Sequence, residues 1–112
     1  MKVAIPVVEG KLAMHFGHSQ SFALVEIDEA TNSVIGSTSI IPPAHEPGAL
    51  PKWLNEQGAD VIITGGMGMR AQQFFQQFGI KVVVGAPVET PEKVAELWIK
   101  GQLVTGGNIC DH

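Results

Sequence analysis

The sequence contains a single cysteine, Cys110. One thiol cannot close an internal disulfide, and such sparing use of cysteine fits a reducing compartment. Basic residues are also scarce: seven Lys and Arg among 112 residues, scattered along the chain, with a formal net charge of −4. Phosphate backbones are bound by clustered cations, so nucleic acid is not an expected partner. No apolar stretch approaches the ~20 residues that a membrane-spanning helix needs. The opening MKVAIPVV has too short an apolar run for a secretion signal and lacks a cleavage site. A soluble cytoplasmic protein is expected.

The usual signatures of catalysis are missing as well. Two-metal nucleases gather several carboxylates around their cations, whereas the first apolar run, VAIPVV at 3–8, contains no Asp or Glu. There is no Ser-His-Asp set and no nucleophile elbow. The paired Cys-x-x-Cys or His-x-x-x-His spacing of a closed structural zinc site is absent too. An enzyme, and a hydrolase in particular, is not expected.

What is present points to one globular α/β domain. Hydrophobic residues make up 45% of the chain and charged residues 16%, which suits a folded core rather than disorder. The β-branched run at 3–8 reads as a strand buried on both faces, with Pro6 awkward inside it. Residues 21–28 (SFALVEID) and 33–41 read as a hairpin joined by the turn EATN at 29–32. Leu50, Trp53 and Leu54 then recur at helical spacing, and Gly58 ends that helix. Residues 60–64 and 80–84 make two more strands. A helix over 68–78 carries Phe74, Phe75 and Phe78 on its apolar side. The last helix spans 91–100, with Thr90 as N-cap, Pro91 in its first turn and Gly101 as its stop. The order β-β-β-α-β-α-β-α, with right-handed crossovers, predicts a mixed five-stranded sheet flanked by helices. The strand order 3-2-1-4-5 follows by analogy with ribonuclease H-like three-layer folds. The domain is expected to end near residue 101, leaving 102–112 as a flexible C-terminal tail.

Chain direction brings three loops to one end of that sheet. The loop after the first strand carries His15 and His18, in HFGHS. The loop after the third carries His45, between prolines. The loop after the fourth is GGMGMR, with Gly65, Gly66, Met67, Gly68 and Arg70. In open α/β sheets, ligands gather at this carboxyl end. The last helix runs the other way, and the eleven residues after it are long enough, at ~3.3 Å each, to bring Cys110 and His112 back to that edge. Imidazole nitrogen with thiolate sulfur suits zinc, copper or iron–sulfur chemistry. Each feature also has a plainer reading: polar loop histidines, a brace for the next helix at His45, an incidental thiol, methionines that pack. The glycine run either offers backbone N–H groups to an anion at a helix start, with Arg70 nearby, or is a tight turn with close packing. It is neither a P-loop nor Gly-x-Gly-x-x-Gly.

Five segments carry a family pattern: HFGHSQSF at 15–22, HEPGALPKWL at 45–54, GADVIITGGMGMRA at 58–71, GIKVVVG at 79–85 and the terminal NICDH. Over nearly its whole length the chain resembles the nitrogenase iron–molybdenum cofactor biosynthesis family, including its orange-protein-like branch. The resemblance implies a ribonuclease H-like domain that binds or carries a metal–sulfur cluster without catalysing a reaction. The cluster would be iron–sulfur, molybdenum–copper or an iron–molybdenum cofactor precursor. It further implies a P-loop ATPase of the iron–sulfur carrier type as partner, and the chain itself is read as a monomer or weak dimer. His15, His45 and Cys110 fall on motif positions that could face a cluster. Many relatives have arginine where this chain has His18, and many lack the Cys-x-His tail. The competing expectation is a regulatory or interaction module, with the glycine loop binding a nucleotide or an ATPase partner.

Overall fold

The computed structural model describes residues 1–43 and 49–106, and at His18 the backbone alone. Six strands and three helices follow one another as β1 (Lys2–Val8), β2 (Lys11–Leu12), β3 (Ser21–Asp28), β4 (Ser33–Ile40), α1 (Ala49–Glu56), β5 (Val61–Ile63), α2 (Met69–Gln77), β6 (Lys81–Val83) and α3 (Pro91–Ile99). The strands form one mixed sheet in the order β4-β3-β1-β5-β6, with β2 paired to β1. β1 lies antiparallel to β3 and parallel to β5, and β5 lies parallel to β6. The hairpin of β3 and β4 pairs from Phe22 opposite Ile40 to Asp28 opposite Ser33.

The sheet therefore has six strands rather than the five expected. The long strands take the expected order, and the addition is β2, which pairs Val7 with Leu12 and Val8 with Lys11. Two residues are too few to show alternation in a sequence. The turn between β1 and β2 is built by Glu9 at φ 53° and Gly10 at φ 80°, two left-handed residues in the manner of a type I′ hairpin turn. β2 also accounts for Pro6. The β1–β5 pairing covers Val3 and Ala4 only, so the missing proline N–H falls beyond it. The Pro6 carbonyl meanwhile accepts the Ala13 amide at 2.8 Å.

Alternation along the strands divides the core into two layers. On one face Val3, Ile5, Val25, Ile27, Val61 and Ile63 pack with Val94 and Ala95 of α3. On the other, Ala4, Phe22 and Ile62 pack with Leu50 and Leu54 of α1 and Phe75 of α2. Burying a large aliphatic or aromatic side chain is worth ~1.5–3 kcal/mol, and these two layers hold the helices against the sheet. Of the three phenylalanines expected on the inner side of α2, only Phe75 is fully buried; Phe78, just past the helix end, is 37% exposed. Thr90 occupies the N-cap position of α3 without a side-chain capping bond, and Pro91 stands in the first turn. At the end of the sheet remote from the loops described next, the Met1 amine and carbonyl both bond the backbone of Ile27.

Candidate functional site

The parallel strands β1, β5 and β6 deliver their following loops to one edge of the sheet, and β4, antiparallel to β3, ends at the same edge. The loop after β1 crosses directly over the start of the glycine loop. The Phe16 amide donates to the Gly66 carbonyl at 2.9 Å, and the Gly65 amide reaches the Ala13 carbonyl at a long 3.5 Å. Thr64, fully buried, lies beneath the crossing with its hydroxyl 3.5 Å from the Ala13 carbonyl and 3.4 Å from that of Gly66. The crossing is tight enough to dictate its residues. A Cβ on Gly65 would stand 2.7 Å from the Met14 carbonyl oxygen and 2.9 Å from the Met14 Cα.

The loop after β6 joins the same knot. Gly85 donates to the Gly65 carbonyl at 2.9 Å, and Ala86 donates to that of Thr64 at 3.2 Å. Past α3 the chain climbs back along the sheet. Gln102 donates to Leu97, Leu103 packs on the core, and the Gly106 amide donates to the Gly85 carbonyl at 2.7 Å. Gly85 has φ +79°, and a Cβ there would overlap the Gly106 carbonyl. Glycine is required twice over at this position, by backbone conformation and by space.

His15 is exposed and immediately precedes the 3₁₀ turn Phe16–His18. Its neighbour Phe16 is buried and edge-on to two rings, with centroids 5.9 Å from Phe22 and 5.4 Å from Phe75. The phenylalanine of HFG thus fastens the histidine loop to β3 and α2. Sequence reasoning passed over it, although a large aromatic between two histidines was the available signal. Met14, 53% exposed, borders a cleft of ≈ 520 Å³ with Val8, Leu12, His15 and Val88. Met14 and Val88 also border an adjoining hollow of ≈ 320 Å³ that runs to Gly65, Gly85 and Gly106.

The expected site residues therefore separate by place. His15, Gly65, Gly66, Met67, Gly68 and Arg70 come to one edge of the sheet. Gly65, Gly66 and Met67 are buried, and the Met67 side chain belongs to the core beneath the loop. Gly68 and Arg70 are exposed, at the N-cap and in the first turn of α2. The first amides of a helix have no intrahelical acceptor, so this end of α2 presents N–H groups and a guanidinium. The His18 side chain, His45, Cys110 and His112 lie outside the described residues. Among the described residues no group of three or more His, Cys, Asp and Glu side chains is arranged to hold a metal ion. Nor is any helix there long and apolar enough to cross a membrane.

This is a mixed α/β domain whose loops knot together at the carboxyl edge of its sheet. By sequence it belongs to the dinitrogenase iron–molybdenum cofactor family, whose model matches residues 1–101. A similar chain is the uncharacterized protein MJ0580 of Methanocaldococcus jannaschii, 30% identical over 106 residues, covering 92% of this chain and 89% of that one. The crystal structure of PH0822 superimposes with a TM-score of 0.84 at 32% identity, covering 94% of each chain. The apo form of the orange protein from Desulfovibrio gigas shares the fold, with a TM-score of 0.73 at 24% identity over 96% of this chain and 93% of that one.

Proposed function

We propose that the chain is a non-catalytic carrier that holds a metal–sulfur cluster as cargo at the carboxyl edge of its sheet. The observation that carries this reading is the joint between the two loops. His15 stands exposed on one, while Arg70 and the first-turn amides of α2 stand on the other, and the 2.9 Å Phe16–Gly66 bond ties them. Sulfide clusters are commonly anionic, and an anion is stabilised by N–H donors at a helix start and by a guanidinium. Membership in a family described by the iron–molybdenum cofactor supports the same class of cargo.

The described donors do not close a coordination sphere by themselves. In this reading His45, Cys110 and His112 supply the remainder, with the Cys110 thiolate as the soft ligand. The final residues act as a clasp that releases with the cargo. The cargo is an iron–sulfur cluster, a molybdenum–copper cluster or a precursor of the iron–molybdenum cofactor. A P-loop ATPase of the iron–sulfur carrier type is its exchange partner. The strand order is that of ribonuclease H-like folds, to which we assign the domain, here without the carboxylates that nucleases of that class place on the first strand. We read the chain as cytoplasmic and as a monomer or weak dimer.

Anaerobic reconstitution tests this directly, with iron and sulfide in one arm and tetrathiomolybdate and copper in the other. Visible absorption is followed for the wild type, His15→Ala and Cys110→Ser. One arm is expected to give a stoichiometric chromophore that both variants bind less tightly. No chromophore in either arm, or equal loading by all three proteins, would overturn the proposal. Saturable ATP binding without metal uptake would replace it with a nucleotide-binding module.

A further inference from the structure

The two outer strands of the sheet are guarded unequally. β6, on one side, has three residues and carries Lys81; shortness and lysine both discourage pairing with another chain. β4, on the other side, has eight residues, SVIGSTSI, with neither a charge nor a proline. The uncharged stretch of sequence around it runs from Ala30 to Ala44. Among the described residues no strand pairs with the outer side of β4, and Ile35 and Ile41 are 61% and 75% exposed. The register with β3 shifts once, between Glu26 and Ile27, where Ile35 has no partner, so the regular run of β4 is 36–40. A groove of ≈ 270 Å³ lies along that run, bordered by Gly36, Thr38 and Ile40 together with Leu24, Glu26 and Lys2. A Cβ on Gly36 would meet nothing within 4 Å, so the space beside this glycine is open.

We propose that β4 is a self-association edge: two copies of the chain pair their β4 strands antiparallel, about a two-fold axis at Thr38, into one continuous sheet. A two-fold axis sets a strand against itself, so a charge near the axis would meet its own like. The run 36–40 has none, although the chain as a whole carries −4. A second β4 also arrives already extended, whereas a flexible peptide loses backbone freedom when it adds to a sheet. Thr38 is the middle of the regular run, and an axis there places Gly36 of each copy opposite Ile40 of the other. Each isoleucine then meets the open space beside the other copy's glycine. Five residues a side make a small interface, so the pairing depends on concentration. Because the paired strands run in opposite directions, the carboxyl edges of the two copies point opposite ways and both stay accessible. The inference goes beyond the carrier reading and does not rest on it.

The test uses the full-length, metal-free chain. Sedimentation of the wild type is expected to pass from monomer to dimer mass between micromolar and millimolar concentration. Over the same range, exchange of the 36–40 amides that point away from β3 should slow several-fold, with the β6 amides unchanged. Thr38→Lys sets two ammonium groups against each other at the axis and should stay monomeric, with the thermal midpoint of the wild type because Thr38 is exposed. In a mixed sample of differently labelled wild-type chains, nuclear Overhauser contacts should link the Ile40 methyls of one copy to Gly36 of the other, a readout independent of how the variant folds. A wild type that stays monomeric at millimolar concentration would overturn the proposal. So would a dimer that persists in Thr38→Lys, or interchain contacts confined to another surface. Loss of the dimer would leave the carrier reading intact, and failure of cluster loading would leave the dimer intact.

Discussion

Gly65 and Gly68 stand three residues apart in one glycine run, yet the structure gives them opposite tolerance for a side chain. At Gly65 an added methyl would sit 2.7 Å from a backbone oxygen and 2.9 Å from a backbone Cα, both of Met14. Comfortable carbon contacts begin near 3.5 Å, so Gly65→Ala must push the histidine loop back by roughly 0.6–0.8 Å. That loop is held by Phe16 beneath its ring partners and by the Phe16–Gly66 bond. Forced overpacking of this kind costs about 1–3 kcal/mol. The reduced entropy of the unfolded chain returns ~0.4–1 kcal/mol, which leaves a net loss of roughly 1–2 kcal/mol. With a urea slope of about 2 kcal/mol per M, the unfolding midpoint falls by roughly 0.5–1 M. At Gly68 a Cβ meets nothing within 4 Å, and φ is −63°. Gly68→Ser adds a favourable N-cap hydroxyl to α2, so its midpoint should match or slightly exceed that of the wild type. Urea unfolding followed by Trp fluorescence compares the two. Equal midpoints for Gly65→Ala and Gly68→Ser would refute the argument that the first glycine is there for the loop crossing.

Phe16→Ala removes two edge-on ring contacts and leaves a cavity between β3 and α2. A loss of about 3–5 kcal/mol is expected, out of the ~5–15 kcal/mol typical of a domain, and Phe16→Leu should recover a good part of it. A thermal midpoint for Phe16→Ala within 3 °C of the wild type, where ~10 °C or more is expected, would count against the anchor. Gly85→Ala combines a φ of +79° with overlap of the Gly106 carbonyl. Faster hydrogen exchange should therefore appear at the Gly106 amide, with the β1–β3 amides unaffected, and unchanged exchange at Gly106 would oppose the double requirement. Glu96 accepts a 2.8 Å bond from Lys100 on the surface of α3, which with the charge of Lys100 lowers its pKa below the ordinary value. Its small contribution is thus present above the ordinary glutamate range and fades as pH falls through the lowered value. Glu96→Gln should weaken the helix slightly at neutral pH and not at all once the pH is below the lowered value; an equal effect at both would refute it.

The long elements were legible from composition and turn signals as much as from spacing. Residues 21–28 and 33–40 are runs of strand-forming residues on either side of a short polar turn, and Leu50 and Leu54 repeat at helical spacing before Gly58. Chain direction alone was enough to send the histidine and glycine loops to the same edge. The two-residue β2 left no periodic trace, and its turn is marked only by Glu9–Gly10. Phe74, Phe75 and Phe78 would share one face of a continuous helix, but α2 ends at Gln77 and Phe78 falls at its C-cap, where it is 37% exposed. The separate duties of Gly65 and Gly68 could not be read in advance. They depend on which strand's loop passes overhead, and the identity of Met14 gives no hint of that crossing. The return of residues 102–106 was within reach of the chain length, but its landing point, Gly85, is a property of the folded surface.

The two ends of the described chain have unequal surroundings. Met1 is clipped to Ile27 at the far end of the sheet, while Gly106 sits among the loops at its carboxyl edge. An affinity tag or fluorescent reporter fused ahead of Met1 would project away from those loops. One placed directly behind Gly106 would crowd the region where cargo is to be measured. Reporter fusions for the loading experiments therefore belong at the amino end, and a loading defect seen only with a carboxyl-end fusion would reflect the fusion itself.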